Sequence, residues 1–224
     1  MDKNNANERL KGKRAQFVEP NNKKPALLYV VLSIAVIAIV AFIAVYASSG
    51  KTPGSVEPSA VEAKYIGRYL PADFKPVKLT EPVIYDRQID MVPVTPEVKD
   101  GKVIIKAGDV ISSRIVYFEY SRPKDSQTIS LMAYIKPSGE LFTGVSYCPP
   151  CGAKYHHFEA DGTLTCNSCA TKRDPETEAG ISGACKLYPA DAIAHKLVGE
   201  NIELAEADLV DWEAQPLDRP VGAE

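Results

Sequence analysis

Five cysteines, all between positions 148 and 185, are the residues of this 224-residue sequence whose spacing indicates chemistry. They form two C-x2-C pairs, Cys148-Pro-Pro-Cys151 and Cys166-Asn-Ser-Cys169, separated by 14 residues, and Cys185 follows after another 15. Each C-x2-C loop can present two thiolates to one metal ion, and two such loops complete a tetrahedral set of four sulfur ligands. The predicted metal ligands are therefore Cys148, Cys151, Cys166 and Cys169.

The segment between the two pairs has the pattern of a β-hairpin. Residues 153–158 can form one strand, Asp161-Gly162 a turn, and Leu164-Thr165 the returning strand. A hairpin with Asp-Gly at its tip brings the bases of its strands together, and with them both cysteine pairs. Gly152 allows the backbone to turn tightly after the first pair. This knuckle–hairpin–knuckle pattern is that of a zinc ribbon.

Several chemistries remain open on spacing alone. Four thiolates bind structural zinc, a single iron ion or an iron–sulfur cluster. Two disulfides, structural or redox-active, are the alternative to a metal, although an odd number of cysteines and the C-x2-C spacing count against inert bridges. Covalent haem attachment and a Rieske centre lack support, because no C-x2-C-H sequence and no Cys–His pairing are present.

The fifth cysteine and the three histidines have weaker signals. Cys185 is expected to be a small buried side chain, with a role as a fifth or alternative ligand left open. His156 and His157 point to opposite faces of a strand and are interpreted as packing or surface residues, as is His195. No nucleophile–base set, paired carboxylates or phosphate loop is present, so no catalytic residue is predicted and an electron carrier or metal-binding protein is favoured over an enzyme.

Short apolar runs separated by turn residues place this site in a mainly β domain. Such runs predict an antiparallel sandwich or barrel-like fold carrying the knuckle hairpin. The predicted strands are 102–106, 115–120, 128–135, 141–147 and 201–204. Pro189–Val198, with proline at its start and Gly199 after it, is predicted to be one helix inserted among these strands.

An apolar segment near the N-terminus predicts one transmembrane helix. Residues 26–47 are 22 positions without a charge, and about 20 apolar residues cross a bilayer. A cleaved signal peptide is the alternative, but its apolar core is typically shorter. Residues 1–25 carry seven basic and three acidic residues, which places this tail in the cytoplasm. The predicted topology is a single-pass cell-membrane protein with an extracytoplasmic C-terminal domain.

The rest of the chain divides by composition. Residues 48–82, which begin with a Gly-, Pro- and Ser-rich stretch, are predicted to be a linker, residues 83–210 the β metal-binding domain, and residues 211–224 an acidic tail. The formal net charge of −3 gives no indication of nucleic-acid binding.

Residues from about 101 to 204 resemble the FtrD-like membrane iron–sulfur protein family. The matching features are the strand and turn Ile129–Gly139, the sequence Cys148-Pro-Pro-Cys151-Gly152, the Asp161-Gly162 turn, Cys166-Asn-Ser-Cys169, and the segment Ile181–Cys185. The chain departs from the family pattern after the second pair, where Ala170 stands in place of glycine.

The resemblance implies a membrane-bound iron or iron–sulfur protein that accompanies iron-permease transport. Electron transfer to or from iron during uptake, with the permease or another membrane redox protein as partner, is the expected function. A zinc-stabilised interaction module without a redox role is the alternative.

Overall fold

The computed structural model describes residues 55–218. The predicted basic tail (1–25), the predicted transmembrane helix (26–47) and the end of the predicted acidic tail lie outside these residues. Within residues 55–218, none of the helices has the length and apolarity needed to cross a membrane.

The described residues contain three short helices and thirteen strands. The helices are α1 (Ala60–Ile66), α2 (Ala107–Ser113) and α3 (Glu206–Val210). The strands are β1 (Ile89–Asp90), β2 (Val92–Pro93), β3 (Glu97–Lys99), β4 (Lys102–Lys106), β5 (Ile115–Ser121), β6 (Thr128–Ile135), β7 (Leu141–Val145), β8 (His156–Phe158), β9 (Leu164–Cys166), β10 (Lys172–Arg173), β11 (Gly180–Ser182), β12 (Lys196–Val198) and β13 (Asn201–Ala205).

These strands form three sheets. The central sheet has the order β2-β5-β6-β7, the outer sheet β12-β13-β4-β3, and the knuckle sheet β1-β8-β9-β10-β11. All pairs are antiparallel except β2 with β5, which run parallel. The mainly β prediction is confirmed, but none of the three described sheets closes on itself, so the barrel-like alternative is wrong.

The central sheet is buried on both faces. One apolar cluster joins it to the outer sheet through residues such as Leu131 and Ile202. A second cluster joins it to the knuckle sheet through residues such as Met132 and Phe158. Because both faces of β6 are covered, seven of its eight residues are buried, and its sequence is a nearly continuous apolar run rather than an alternating one.

The predicted helix over Pro189–Val198 is wrong. The backbone of this segment bonds to neighbouring chain instead of to itself: Ala192 N–H donates to Ile66 O at 3.0 Å, and Ile193 N–H donates to Thr143 O at 2.9 Å. The segment therefore lies extended beside β7, and its last three residues form β12. A short mixture of small apolar and polar residues is compatible with a helix and with an extended segment. Here the hydrogen bonds to distant residues favour the extended conformation.

The described part of the predicted linker, residues 55–82, contacts the sheets. Helix α1 begins with a capping box in which Ser59 and Glu62 bond reciprocally. Glu62 also accepts a hydrogen bond from Gly180 N–H in β11 at 2.6 Å. Arg68 forms a bidentate pair with the buried carboxylate of Asp191, both contacts being 2.8 Å. Helix α1 and the residues after it are thus fixed to the β domain by buried polar contacts.

Candidate metal centre

The two cysteine knuckles are built alike. In the first, Gly152 N–H donates to Cys148 O at 2.8 Å, and in the second, Ala170 N–H donates to Cys166 O at 3.0 Å. The residue after each pair has a left-handed backbone, with φ of 69° at Gly152 and 54° at Ala170. The predicted role of Gly152 is therefore confirmed, and Ala170 adopts a conformation that disfavours a side chain.

The hairpin between the knuckles brings them together. Strands β8 and β9 pair with His156 opposite Cys166 and Phe158 opposite Leu164. The turn contains Gly162 with φ of 83°, as the Asp-Gly sequence predicted. Phe158 and Leu164 anchor the hairpin in the apolar cluster beneath it, and both are fully buried.

The four predicted ligands meet at one point. Their Sγ atoms all lie within 4.8 Å of one another, and Cys151 Sγ is 3.9 Å from Cys166 Sγ. All five cysteines in the described residues are free thiols. Cys148 and Cys166 are buried, Cys169 is half-buried and Cys151 is exposed, so the site has one face toward solvent.

Backbone N–H groups point at the sulfurs. Cys151 N–H donates to the Cys148 sulfur, and Ser168 and Cys169 N–H donate to the Cys166 sulfur. The Cys148 thiol also donates to Cys166, which raises the pKa of Cys148 and lowers the pKa of Cys166 to about 4. Burial raises the pKa of Cys151 to about 11. These N–H donors stabilise the thiolate forms that metal binding requires.

Cys185 lies at the same site. It is 3% exposed and packs in one cluster with Cys148 and Cys166. Cys185 N–H donates to Thr171 Oγ1 at 3.2 Å, and Cys169 Sγ contacts the same hydroxyl at 3.3 Å. Burial raises the pKa of the Cys185 thiol. The structure thus places Cys185 beside the four-cysteine set, and the Thr171 hydroxyl connects its backbone N–H to the Cys169 sulfur.

A buried arginine positions the segment that carries Cys185. Arg173 in β10 is 4% exposed and donates to Cys185 O at 3.0 Å, Lys186 O at 3.3 Å and Tyr188 O. Neither Arg173 nor Thr171 was predicted from the sequence, because each acts through contacts with a chain segment more than ten residues away. Their only signal is that they immediately follow the second knuckle.

The histidines lie outside the four-sulfur group. His156 is buried behind Cys166, and burial lowers its pKa to about 4. His157 faces outward, with Nδ1 2.7 Å from Asn167 Oδ1 and Nε2 3.1 Å from Glu159 Oε1. His195 contacts the central sheet instead, where its Nδ1 lies 2.9 Å from Thr143 Oγ1 of β7.

Comparison with known proteins adds one family and one solved structure. The ferredoxin of carbazole 1,9a-dioxygenase from Nocardioides aromaticivorans IC177 is 18% identical, over 58% of this chain and 97% of the ferredoxin, with a TM-score of 0.30. At a TM-score this low, the likeness carries no information about chemistry. No curated protein is similar enough to count as a match. Residues 110–215 match the family described as "Membrane iron-sulfur containing protein FtrD-like", which confirms the resemblance predicted from the sequence.

Proposed function

We propose that Cys148, Cys151, Cys166 and Cys169 bind a single iron ion and that the domain carries single electrons as an accessory to iron transport at a membrane. The observation that carries this proposal is the convergence of the four Sγ atoms within 4.8 Å. The iron–sulfur description of the matched family supports iron as the metal.

The spacing of the sulfurs favours one ion over a cluster. With metal–sulfur bonds of about 2.3 Å, the edge of a tetrahedron of sulfurs is about 3.8 Å. The 3.9 Å separation of Cys151 Sγ and Cys166 Sγ is close to that edge. A cluster places inorganic sulfides and further irons between its cysteines, so thiolates bound to different irons lie farther apart. The four sulfurs, all within 4.8 Å of one another, therefore fit one tetrahedral ion better than a cluster.

The protein supplies the ligand set and its environment. A thiolate-bound iron ion changes its charge by one unit on oxidation, and hydrogen bonds to the sulfurs set the potential at which it does so. The N–H groups of Cys151, Ser168 and Cys169 provide such hydrogen bonds here. Thr171 Oγ1, 3.3 Å from Cys169 Sγ, is placed to donate one more when that sulfur is a thiolate.

Exposure of one ligand supports transfer to a partner. Cys151 is exposed, whereas Cys148 and Cys166 are buried. Tyr155, which is 48% exposed and follows the first knuckle, packs against Tyr117 of the central sheet, with ring centroids 4.6 Å apart and the rings tilted by 40°. A redox partner docking on this face would contact the Cys151 sulfur directly. We propose an iron permease or another membrane redox protein as that partner, with residues 26–47 anchoring the domain outside the cytoplasm.

Zinc is the second candidate, because the same sulfur spacing fits a tetrahedral zinc ion equally well. In that case the site would be structural and the domain an interaction module. The two candidates differ in spectrum: four thiolates on ferric iron give a coloured, paramagnetic protein, and on zinc a colourless, diamagnetic one.

The test uses the full-length chain, purified anaerobically, with iron and zinc measured per chain and the visible and EPR spectra recorded before and after reduction. We expect about one iron per chain and a visible band that bleaches on reduction and returns on oxidation. The Cys185→Ser variant is the matched control and should keep the metal. One zinc per chain and no colour would overturn the electron-transfer proposal.

A further inference from the structure

Two arginines in the described part of the chain lack the protein partners that the other three have. Arg68, Arg122 and Arg173 each donate hydrogen bonds to carboxylate or carbonyl oxygens of the protein. The side chains of Arg87 and Arg114 form no hydrogen bond or ion pair with any described residue. Their two guanidinium groups are therefore available to a ligand.

Arg87 and Arg114 line the same surface cavity. The cavity has a volume of about 310 Å³ and lies where the loop before β1 meets the end of α2. Arg87 is exposed and Arg114 is half-buried. Because an arginine side chain is long and no contact within the protein holds either one elsewhere, both guanidinium groups can turn toward a molecule bound in this cavity.

The backbone of Arg114 has a conformation that favours glycine. Its φ is 68°, and two hydrogen bonds hold it there: Arg114 N–H donates to Val110 O at 2.8 Å, and Arg114 O accepts from Ile135 N–H at 3.0 Å. Glycine would adopt this conformation after the helix with less strain. A long charged side chain on a strained backbone indicates a use for that side chain.

The cavity carries an excess of positive charge. Among the described residues that line it, Asp86 is the one acid, against the two arginines. Asp86 is exposed and forms an ion pair with neither Arg87 nor Arg114. A guanidinium group presents paired N–H donors that match the two oxygens of a carboxylate or phosphate group. Both the charge and the donors of this cavity therefore favour an anion.

The remaining walls suit an organic anion better than a small inorganic one. Val83, Ile84 and Ile89 supply apolar surface, and Ser112 and Ser113 line the cavity at the end of α2. For comparison, a protein cavity of about 150 Å³ is large enough to bind benzene. A cavity of about 310 Å³ thus has room for an anionic group and a short carbon chain.

We infer that this cavity is a binding site for a small organic molecule that carries two negative charges. Arg87 and Arg114 bind the charged oxygens, and the apolar walls contact the carbon chain. Two carboxylate groups or one phosphate group would supply these charges, since both present the same paired oxygens to a guanidinium group. The inference is independent of the metal centre and of its proposed function.

The experiment compares glutarate with valerate, which has the same carbon chain but one carboxylate fewer. The full-length protein, carrying 15N-labelled arginine, is titrated with each at low and constant ionic strength. We expect glutarate to bind roughly tenfold more tightly than valerate, the ratio that one further charge-assisted hydrogen-bonded contact supplies. Glutarate should also shift the side-chain Nε resonances of Arg87 and Arg114 and leave that of Arg122 unchanged.

Inorganic phosphate is the third ligand, and it distinguishes the two sources of charge. Tighter binding of phosphate than of glutarate at this cavity would assign the site to a phosphate group. Weaker binding of phosphate would assign it to a dicarboxylate.

Three variants accompany the titrations. Arg87→Gln and Arg114→Gln should each abolish the preference for glutarate. Lys99→Gln removes an exposed positive charge in β3, outside the cavity, and should keep it. Equal affinity for glutarate and valerate, unmoved resonances of Arg87 and Arg114, or an equal loss of preference in Lys99→Gln would each overturn the inference. The wild-type comparison and Arg87→Gln decide the question even if Arg114→Gln fails to fold.

Discussion

The central sheet and the cysteine knuckles are two regions of one domain that are held together by different forces. Around the central sheet, 18 buried side chains form a single apolar cluster. The cluster at the knuckles contains four buried residues, three of them cysteines. Burial of apolar area can maintain the sheet by itself, whereas the knuckles have too little apolar surface to do so. Their order is expected to depend on the bond energy of a metal.

The contact between the two regions is an apolar layer. Phe158 and Leu164 of the hairpin pack under the central sheet with Met132 and Tyr134. The knuckles themselves lie beyond this layer. The hairpin should therefore remain docked when the metal is removed, while the loops at its base lose their order.

The largest effect should come from removing a side chain of the central sheet. Leu131 is fully buried in β6, so Leu131→Ala should lower the free energy of unfolding by about 3–5 kcal/mol through lost burial and a cavity. Urea denaturation followed by circular dichroism measures this loss. Val98→Ala, at a position 51% exposed in β3, is the matched control. An equally small change for both variants would contradict the assigned core.

Removing one predicted metal ligand should disturb the cysteine knuckles and leave the central sheet intact. Cys166→Ser replaces a buried sulfur of the four-cysteine group, and we expect the metal content to fall below about a tenth of the wild-type value, because three thiolates cannot complete the tetrahedral set. Hydrogen exchange should quicken in the knuckle loops, residues 148–153 and 167–171, and stay slow in β5–β7 and in the docked hairpin strands β8 and β9. Loss of protection throughout all three sheets would show that the regions do not differ as described.

A smaller effect should appear in the pH dependence of stability. Burial lowers the pKa of His195 from 6.5 to about 4. Between those values the unfolded chain binds more protons than the folded one, so stability is fully present above pH 6.5 and falls as the pH drops toward 4. His195→Gln should remove up to about 3 kcal/mol of this dependence. Burial lowers the pKa of His156 to about 4 as well, so the stability of the variant should still decrease in acid.

Thermal or urea unfolding at pH 7, 6, 5 and 4 measures this slope. His157→Gln is the control, because interactions with Asn167 and Glu159 raise its pKa against a lowering by burial. A steeper fall in acid for His195→Gln than for the wild-type chain would contradict a buried neutral histidine.

The smallest effect concerns the backbone of the second knuckle. Ala170 has φ of 54°, a conformation that strains any residue with a side chain. Ala170→Gly should relieve that strain and stabilise the metal-bound protein by about 0.5–1 kcal/mol, after allowing for the greater freedom of glycine in the unfolded chain. Gly152→Ala, at the equivalent position of the first knuckle, should have the opposite sign. The melting temperatures of the two variants measure these effects. Changes of the same sign would show that positions 152 and 170 are not equivalent.

The parts of the fold that could be predicted are those coded by local sequence. Strand β6 was predicted at its observed bounds because its apolar run ends at a Pro-Ser-Gly turn. The knuckles were predicted because metal-ligand spacing is a local pattern. Helix α2 was missed because it is seven residues long, contains Gly108 and lacks a side-chain cap. The extended path of Pro189–Val198 and the approach of Cys185 depend on long-range partners such as Thr143 and Arg173, which no local pattern reveals.

We propose that the sulfurs of Cys148, Cys151, Cys166 and Cys169 surround one iron ion. X-ray absorption at the iron edge of anaerobically purified full-length protein tests it most directly. We expect four sulfur neighbours of the iron at a single distance and no metal neighbour beyond them. A short iron–iron distance in the same spectrum would show a cluster and contradict the single-ion site.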